Sequence, residues 1–341
     1  MSEYSKIDKL LHRLALDFDA VQMLAFDLEK KLFQGQNEKQ NAIYVTGMAR
    51  AGTTALMRAL YQSSEFASLT YNDMPFVLSP NLWDKLSRIN KKNRVLTERA
   101  HGDGIAVDFD SPEAFEEIFW RIHCGYEFIF DDCLTTHKVS KDLYLKLLVY
   151  QNLVCQKYNK QRYLAKNNNL ILRLADLALL SKNTTFLIVV RHPLHQAASL
   201  LTQHRRFSNA PNFTERYMNW LAHHEFGSSH RPFKFNPVDN LAGDSDSMKY
   251  WIARWVDLYR FTYNLLKSGT PNTVVVIYEH LCDDSIYVDA LSKKLDVPIK
   301  PEQFIKSHSN YTEQSDSDDL HKALDVYESL CQISRQSLGL F

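Results

Sequence analysis

The sequence predicts an α/β protein with a central parallel sheet and helices on both of its faces. Short apolar runs alternate with helical patterns along the chain, which is the order that parallel strands and their connecting helices produce. Three of these runs end in polar or basic residues, just after Val45, Ala165 and Val190. Ligands of such sheets bind beyond the carboxyl ends of the strands, so we expect the functional site at these three ends.

An N-terminal helical segment over residues 1–34 precedes the sheet. Apolar residues recur at three- and four-residue steps between Ile7 and Leu32, as on one face of a helix. This pattern predicts one or two amphipathic helices packed on the body of the protein. Residues 34–40 are polar and contain Gly35, which predicts a linker.

The main domain is predicted over residues 42–300 from a series of strands and helices. Its strands are expected at 42–45, 163–165, 185–190 and 273–277, and its helices after Gly52, at 141–159 with Ser140 as N-cap, at 170–180, at 194–203 and at 284–294. Residues 301–341 are expected to form a polar loop and a last helix at 320–336. The predicted architecture is a three-layer sandwich with helical additions.

Residues 204–246 interrupt the alternation of strands and helices. They contain Arg205, Arg206, several Asn and Pro residues and an acidic run at 244–246, with one helix predicted at 213–226. Long excursions of this kind are often lids or substrate loops, and a disordered surface insertion is the alternative.

The composition argues against several classes of partner and site. Lys plus Arg and Asp plus Glu both number 40, so net charge gives no general attraction to nucleic acid or to an anionic membrane. The five cysteines form no C-x-x-C pair and the histidines have no metal-ligand spacing, so we expect no metal site and a reducing compartment. The chain has no apolar run of about 20 residues, and acids interrupt its N-terminal pattern, which predicts a cytoplasmic protein without a membrane segment.

The loop from Gly47 to Gly52 has the G-x-x-x-x-G spacing of a phosphate-binding loop between a strand and a helix. In that position, backbone N–H groups and the helix dipole hold an anion. Thr53 occupies the place of the lysine that a nucleoside triphosphate site needs, and no strand ends in a convincing metal-binding aspartate. Arg50 and the two threonines at the helix start favour a phosphate-like group bound without Mg²⁺. A tight turn with incidental glycines is the alternative.

A second anion site is predicted at the end of the strand at 185–190. The strand runs into Arg191-His192-Pro193, and proline at a first helical position leaves the helix N-terminus open to an anion. Ser199 follows Arg191 by about two helical turns, so a guanidinium and a hydroxyl can bind one phosphate together. An arginine that forms a salt bridge at the sheet edge is the alternative.

Together, these elements resemble the sulfotransferases that use 3′-phosphoadenosine 5′-phosphosulfate (PAPS). The segment 50–54, Arg-Ala-Gly-Thr-Thr, is similar to the family's 5′-phosphosulfate loop, Arg-Ser-Gly-Thr-Thr. Arg191-His192-Pro193 with Ser199 resembles the 3′-phosphate motif, and the segment 278–281, Tyr-Glu-His-Leu, resembles the family's Tyr-Glu-x-Leu. Lys166 stands where carbohydrate and tyrosyl-protein sulfotransferases carry a lysine that contacts the sulfuryl group.

The resemblance implies a P-loop NTPase-like sulfotransferase fold and a site for PAPS and its product PAP. Arg50 and Lys166 would act as catalytic residues that stabilise the sulfuryl oxygens and the leaving phosphate. The implied donor-binding residues are Arg50, Ala51, Gly52, Thr53 and Thr54 on the 5′ side, Arg191 and Ser199 at the 3′-phosphate, and Tyr278 near the adenosine. Ala51 departs from the usual serine and removes one donor, and Asn167-Asn168 replace the commoner Thr-Pro or Ser-Pro after the lysine.

Sulfuryl transfer also needs a base for the acceptor's proton, and several residues are candidates. Asp73 lies near the place, shortly after the first helix, where relatives often carry a carboxylate. Glu117 or its neighbour Glu116 is the competitor, although Ser111-Pro112 is a good helix start and acids favour a first helical turn for structural reasons. His101 is a third candidate.

The function that the resemblance implies is sulfuryl transfer from PAPS to an acceptor hydroxyl or amine, on a glycan, a lipid-linked sugar or a small metabolite. A P-loop nucleotide kinase or ATPase is one alternative, against which Thr53 in the lysine position argues. A module that binds PAP or PAPS without chemistry is another. The joint presence of Arg50 and Lys166 argues against that module.

Overall fold

The computed structural model describes residues 6–33, 41–87, 97–98, 106–107, 110–306 and 318–340. The strands, in chain order, are β1 (Asn41–Thr46), β2 (Phe66–Ala67), β3 (Thr97–Glu98), β4 (Ala106–Val107), β5 (Leu134–Thr135), β6 (Arg162–Lys166), β7 (Thr184–Val190), β8 (Phe233–Lys234) and β9 (Thr273–Ile277). A parallel five-stranded sheet has the order β2-β6-β1-β7-β9. β3 pairs with β4, and β5 pairs with β8, in two small two-stranded sheets.

Helices surround this sheet. In chain order they are α1 (Lys6–Asp17), α2 (Asp19–Phe33), α3 (Thr53–Tyr61), α4 (Pro80–Ser87), α5 (Glu117–Phe128), α6 (Lys141–Tyr158), α7 (Leu174–Leu180), α8 (Pro193–Phe207), α9 (Asn212–Trp220), α10 (Met248–Lys267), α11 (Tyr278–Asp283), α12 (Ser285–Leu295) and α13 (Asp318–Ser337). Ser140 caps α6 as predicted, because its Oγ accepts a hydrogen bond from the Leu143 N–H at 3.1 Å. α2 packs on α4 and α6, and α13 packs on α10 and β9.

The central sheet is buried on both faces, which makes the protein a three-layer α/β sandwich. Side chains alternate along β1: Ile43 and Val45 face the layer of α3 and α12, whereas Ala42 and Tyr44 face α6, α8 and α10. Burial on both faces explains why the strands are nearly continuous apolar runs in the sequence. The predicted fold class is confirmed. The remaining strand of the central sheet, β2, is only two residues long and has no periodicity that the sequence could reveal.

The strand register brings the predicted polar ends to one edge of the sheet. Val45 in β1 pairs with Lys166 in β6 and with Leu187 in β7, and Val190 pairs with Ile277 in β9. Because the strands are parallel and end at similar heights, the loops that follow them lie side by side. This edge is where the functional site is expected.

The region predicted as one helix over 170–180 is divided. A 3-10 turn covers Asn168–Leu172, and α7 begins only at Leu174. Arg173 stands between them with a non-helical φ of −129°, and its guanidinium pairs with Glu117 in the core at 2.8 Å. The long-range ion pair outweighs the helical propensity of the leucine-rich run.

α5 begins later than the Ser-Pro signal predicts. Ser111-Pro112 is a favourable helix start, yet the helix begins at Glu117. Pro112 instead forms an isolated antiparallel bridge with Thr70 beside the sheet. The prediction of a helix start at Ser111 is therefore wrong. The acidic residues of this segment each contact a different residue: Glu113 contacts Lys166, Glu116 contacts Tyr44, and Glu117 contacts Arg173.

The excursion over 204–246 contains less helix than predicted, and the helix after it is absent from the predictions. α9 ends at Trp220, and Ala222 then takes a left-handed φ of 50°, which a continuing helix does not allow. α10 has 20 residues and buries Trp251 and Trp255 completely. Their four-residue spacing is a helical signal that the sequence does contain.

Some predictions fall outside the described residues, namely the linker at 34–40, the base candidate His101 and the polar loop at 307–317.

In the part of the chain that the structure describes, none of the helices combines the length and the apolar character needed to cross a membrane.

Candidate active site

The loop between β1 and α3 is packed tightly over the edge of the sheet. Gly47 and Gly52 both have positive φ angles, of 139° and 97°. A Cβ atom on Gly47 would overlap the Val189 carbonyl, and one on Gly52 would overlap the Tyr278 ring. Both ends of the loop therefore require glycine.

α8 holds the backbone of this loop in place through Gln196. Its buried Nε2 donates hydrogen bonds to the carbonyl oxygens of Met48 and Ala49 at 3.1 and 2.9 Å. Its Oε1 accepts a hydrogen bond from Trp255 Nε1 at 2.9 Å, which orients the amide. The loop is thus fixed before any ligand binds, and such pre-organisation is what an electrostatic binding site needs.

Arg50 lies together with the residues predicted to bind a 3′-phosphate. Arg50 Nε donates to Ser199 Oγ at 3.0 Å, and Arg191 Nη1 donates to the Arg50 carbonyl oxygen at 3.1 Å. Arg50 has a left-handed φ of 68°, which is uncommon for a residue with a side chain. Two motifs that lie more than 140 residues apart in the chain thus form one cluster.

Tyr278 lies at the end of this cluster. Its ring packs against Gly52, and the guanidinium carbon of Arg191 is 5.7 Å from the ring centre. The hydroxyl donates to the Ile305 carbonyl oxygen at 2.9 Å, and burial raises the pKa of Tyr278 to about 12. The phenol stays protonated at neutral pH, and its ring offers a flat surface beside the loop.

The start of α3 contacts the end of β6 through Asn168. Thr53 Oγ1 donates to Asn168 Oδ1 at 3.4 Å, and Thr46 Oγ1 donates to the Asn168 carbonyl oxygen at 3.5 Å. Thr53 and Thr54 are buried, as is Ala51, which packs among apolar side chains. A methyl group suits this position, although it lacks the hydroxyl of the serine that the family usually has.

Lys166 ends β6 at the same edge and pairs with a carboxylate that is not among the predicted site residues. Lys166 Nζ lies 3.3 Å from Glu113 Oε1, and both side chains are buried. Tyr71 OH donates to Glu113 Oε2 at 3.4 Å, and the Ala114 N–H donates to Oε1 at 3.0 Å. Glu113 therefore fixes the position of the lysine ammonium group at the strand end.

Glu225, which lies in the excursion, is a second carboxylate close to the strand ends. Its Oε1 accepts a hydrogen bond from Asn168 Nδ2 at 2.8 Å, so Asn168 links Glu225 to Thr53. Burial works to raise the pKa of Glu225, but the charge of His223, the Asn168 hydrogen bond and the charge of Lys166 lower it on balance. Glu225 is therefore an ionised carboxylate at neutral pH.

Asp73, the first base candidate, lies in a closed network. Its side chain is completely buried and pairs with Lys157. Tyr158 OH donates to Asp73 Oδ2 at 2.6 Å, and the Thr70 N–H donates to the same oxygen at 2.7 Å within a capping box. These partners are typical of a residue that stabilises a turn, and a catalytic role for Asp73 stays a prediction.

Glu117, the competing candidate, forms a buried ion pair. Arg173 Nη2 donates to Glu117 Oε1 at 2.8 Å, and Asn167 Nδ2 donates to Oε2 at 2.6 Å. Asn169 Nδ2 also donates to Oε1 at 3.2 Å, and the Arg173 guanidinium carbon lies 4.5 Å from the centre of the Trp120 ring. Asn167 directly follows Lys166, where the family more commonly has Thr-Pro or Ser-Pro. In this chain the Asn167 amide therefore donates a hydrogen bond to Glu117 in the core.

Glu116 is enclosed in the same way. Its carboxylate accepts hydrogen bonds from Tyr44 OH, Tyr163 OH and Trp120 Nε1 at 2.6, 2.8 and 3.0 Å. Burial raises the pKa of Glu116, and these three donors oppose that shift. The network ties α5 to β1 and β6 beneath the sheet.

The edge formed by β1, β6 and β7 has the chemistry of an anion-binding site. Arg50, Lys166 and Arg191 provide three cationic groups, and the N-termini of α3 and α8 add their dipoles. Two strand ends, each followed by a helix start, suit a ligand with two anionic groups. Among the described residues, no group of three His, Cys, Asp or Glu side chains is arranged to hold a metal ion.

Three residues that shape this site are absent from the sequence predictions: Gln196, Glu113 and Glu225. Each acts through a partner at least 53 residues away in the chain. No local spacing connects Glu113 to Lys166 or Glu225 to Asn168, so the sequence contains no signal for these pairs.

Three solved structures that match the chain are bacterial sulfotransferases. STF1 from Mycobacterium tuberculosis H37Rv matches with a TM-score of 0.52 and 14% identity, over 98% of this chain and 87% of that one. STF9 from Mycobacterium avium matches with a TM-score of 0.49 and 13% identity, over 100% and 87% of the two chains. A sulfotransferase from Alicyclobacillus acidocaldarius matches with a TM-score of 0.41 and 12% identity, over 89% and 97%. At such low identity, the STF1 likeness supports the fold alone.

The sequence itself has a family match that agrees with the geometry of the site. No curated protein matches the chain significantly. A model described as the sulfotransferase family matches residues 42–300, which include the loop after β1, Lys166, Arg191, Ser199 and Tyr278. Because this match covers more than half of the chain, the protein belongs to the sulfotransferase family.

Proposed function

We propose that the chain transfers a sulfuryl group from PAPS to an acceptor hydroxyl or amine. The observation that carries this proposal is the cluster of Arg50, Arg191 and Ser199 at the carboxyl ends of β1 and β7. It joins an anion-binding loop to a second anion-binding motif, which suits a nucleotide with phosphates at its 5′ and 3′ positions. The residues present therefore fit PAPS, which supplies the activated sulfuryl group when it is bound.

The loop and the first turn of α3 bind the 5′ side of the nucleotide. Thr53 and Thr54 lie where the unpaired N–H groups of the helix start converge. Gly52 leaves space for the Tyr278 ring to pack against the loop, and this ring provides an apolar surface near the adenosine.

The 3′-phosphate is bound by Arg191 and Ser199. Arg191 supplies a charge with bidentate geometry, and Ser199 supplies a hydroxyl from the second turn of α8. Arg50 contacts both residues, Ser199 through its guanidinium and Arg191 through its backbone carbonyl oxygen, and so links the loop to this motif. Removal of the 3′-phosphate from the ligand should therefore cost more affinity than the loss of one surface contact.

Lys166 stabilises the charge that develops on the sulfuryl oxygens. Transfer of this kind depends on positioning and on electrostatic stabilisation rather than on covalent chemistry by the protein. Glu113 is a positioning residue in this proposal, because it fixes the lysine ammonium through a buried contact of 3.3 Å. The acceptor is a glycan, a lipid-linked sugar or a small metabolite, and the site of action is the cytoplasm.

Calorimetric titration of the metal-free protein with PAP, ADP and ATP plus Mg²⁺ tests this proposal. PAP and ADP differ in the 3′-phosphate and in one 5′-phosphate, so adenosine 5′-monophosphate, which lacks only the 3′-phosphate of PAP, is the matched control ligand. We expect PAP to bind at least about tenfold more tightly than either control ligand, since charge-assisted hydrogen bonds to the 3′-phosphate are lost in both.

Binding of ATP with Mg²⁺ in preference to PAP would contradict the proposal and favour a nucleotide kinase or ATPase. PAP binding without transfer of label from PAPS to any class of acceptor would instead favour a non-catalytic binding module. If the folded protein binds none of these nucleotides, the proposed donor site is ruled out.

A further inference from the structure

The backbone of the predicted 3′-phosphate motif is held from two sides. The carbonyl oxygen of Arg191 accepts a hydrogen bond from Trp255 Nε1 at 3.2 Å, and the N–H of His192 donates to Glu279 Oε1 at 3.0 Å. Glu279 directly follows Tyr278, in the first turn of α11. The chain that carries Arg191 is therefore fixed through its peptide groups, and a carboxylate provides one of the two contacts.

The contact with Glu279 lies where the chain enters α8. His192 is the N-cap of this helix, and Pro193 is its first residue. Since proline has no N–H, the helix start offers its N–H groups to an anion from the following residues on. The position of this helix start relative to Arg191 decides whether both can bind the same phosphate group, and the hydrogen bond to Glu279 sets that position.

The second carboxylate oxygen of Glu279 is bound by the C-terminal helix. Tyr327 in α13 donates from its hydroxyl to Glu279 Oε2 at 2.9 Å, and its ring centre lies 5.3 Å from that of His192 in an edge-to-face arrangement. Burial and the charge of Glu279 raise the pKa of Tyr327, so the phenol stays a hydrogen-bond donor at neutral pH. The two oxygens of Glu279 thus accept from two different helices, and the carboxylate cannot turn without losing a donor.

The helix that carries Tyr327 is itself anchored to the central sheet. Ser334 Oγ is buried and donates to the Val275 carbonyl oxygen at 2.7 Å, two residues before the end of β9. Ala323 and Leu330, on either side of Tyr327 in α13, are completely buried. The tyrosine hydroxyl therefore reaches Glu279 from a helix whose position is fixed by the core.

We propose that Tyr327 is a positioning residue of the donor site, which acts through Glu279 on the start of α8 and thereby on the binding of the 3′-phosphate. The C-terminal helix lies beyond the matched residues 42–300, and it takes part in donor selectivity without a contact of its own to the nucleotide. This proposal rests on the proposed use of PAPS and deepens it, because it assigns selectivity for a 3′-phosphorylated nucleotide to a hydrogen bond between α11 and α13.

Calorimetric titration of Tyr327→Phe with PAP and with adenosine 5′-monophosphate tests this proposal. The substitution keeps the ring beside His192 and removes only the hydroxyl, so Glu279 can turn away from the His192 N–H. We expect PAP affinity to fall by about tenfold, at the low end of the effect of one hydrogen bond to a charged group. The affinity for adenosine 5′-monophosphate, which lacks the 3′-phosphate, should change by less than about twofold.

Tyr150→Phe is the matched control. Tyr150 is a buried tyrosine of α6 whose hydroxyl donates to the Val77 carbonyl oxygen at 3.1 Å, so this substitution also removes one hydrogen bond from a buried phenol. A merely structural effect would lower the stability of both variants and leave the preference for PAP over adenosine 5′-monophosphate unchanged in both. We expect this preference to fall in Tyr327→Phe and to be retained in Tyr150→Phe.

Two substitutions of Glu279 separate its position from its charge. The amide oxygen of glutamine can still accept from the His192 N–H, so Glu279→Gln should keep the preference for PAP within about threefold of the wild type. Glu279→Met removes the acceptor and should lose about tenfold of this preference. Urea denaturation of each variant shows that the protein titrated is folded.

A preference for PAP that persists in full in folded Tyr327→Phe would overturn the proposal. An equal loss of preference in Glu279→Gln and Glu279→Met would do the same, because the charge of Glu279 rather than its hydrogen bonds would then be responsible. A wild-type protein that does not distinguish PAP from adenosine 5′-monophosphate would instead mark the failure of the donor site itself.

Discussion

Arg191 and Arg173 are both buried arginines that follow strands of the same sheet, and their partners differ. Arg173 donates to both oxygens of Glu117, at 2.8 and 3.2 Å, and stacks between Trp120 and Phe128. Arg191 donates to the backbone carbonyl of Arg50 at the open edge of the sheet. The first arginine belongs to a buried ion-pair network in the core, whereas the second belongs to a cluster of cationic groups beside a phosphate-type loop.

This difference teaches that partners, rather than residue type or strand position, decide the role of a buried charge. A carboxylate and an arginine that satisfy each other in the core stabilise or specify the fold. Cationic groups gathered at two helix N-termini attract an anion, because the helix dipoles add to their positive charge. By this criterion, Glu117 and Asp73 belong with Arg173. Lys166 has a buried partner, Glu113, but it lies at the same sheet edge as Arg191.

The largest expected effect is on stability, in Arg173→Met. Removal of the guanidinium leaves the Glu117 charge buried without its partner, which costs about 3–5 kcal/mol of unfolding free energy. Urea denaturation measures this loss. Arg205→Met is the control, since its exposed pair with Asp246 should contribute less than about 1 kcal/mol. An Arg173→Met protein that keeps its stability but no longer binds PAP would contradict the assignment of Arg173 to the core rather than to the donor site.

Asp73→Asn distinguishes the two roles proposed for that carboxylate. If Asp73 stabilises the turn, the loss of its charge weakens the contacts with Lys157 and Tyr158 and costs roughly 2 kcal/mol of unfolding free energy. Transfer by the folded fraction should then stay close to wild type. Asp131→Asn, at an exposed position, is the control. Unchanged stability together with a lost kcat would establish Asp73 as the base instead.

The fold was largely predictable because the sheet is buried on both faces. Strands such as β1 and β7 then appear as apolar runs, and glycine loops and N-caps mark the helix starts. The break of α7 at Arg173 was not predictable, because it depends on Glu117 at a distance of 56 residues in the chain. β2, with two residues, carries too little pattern for any periodicity.

The candidate site was predictable only in its local motifs. The glycine loop, Arg191 and Ser199 have fixed spacings that a helix or turn imposes, so the sequence alone indicates them. Glu113 and Glu225 contact the strand ends by tertiary packing, and nothing in their own neighbourhood marks them. The acids that the sequence analysis favoured as base, Asp73 and Glu117, have local structural roles. Asp73 forms a capping box, and Glu117 lies in the first turn of a helix.

A smaller effect is expected from the buried histidine next to Glu225. Burial lowers the pKa of His224 to about 4, so the folded protein keeps its ring neutral while the unfolded chain binds a proton near pH 6.5. The unfolded state therefore takes up more protons between pH 6.5 and pH 4, and stability falls as the pH falls through this window. The loss from His224 should be about 1 kcal/mol between pH 7 and pH 5.5. In denaturation experiments, the unfolding free energy of His224→Gln should depend less steeply on pH than that of the wild type. An equally steep dependence on pH would contradict this assignment.

The central claim is that the cluster around Arg191 binds the donor nucleotide, and calorimetric titration of Arg191→Ala with PAP tests it most directly. The account predicts that PAP affinity falls by at least about tenfold, because a charged partner of the 3′-phosphate is lost. The unfolding free energy of the variant, measured in parallel, should stay within about 2 kcal/mol of wild type. PAP binding of equal affinity in the folded variant and the wild type would contradict the account.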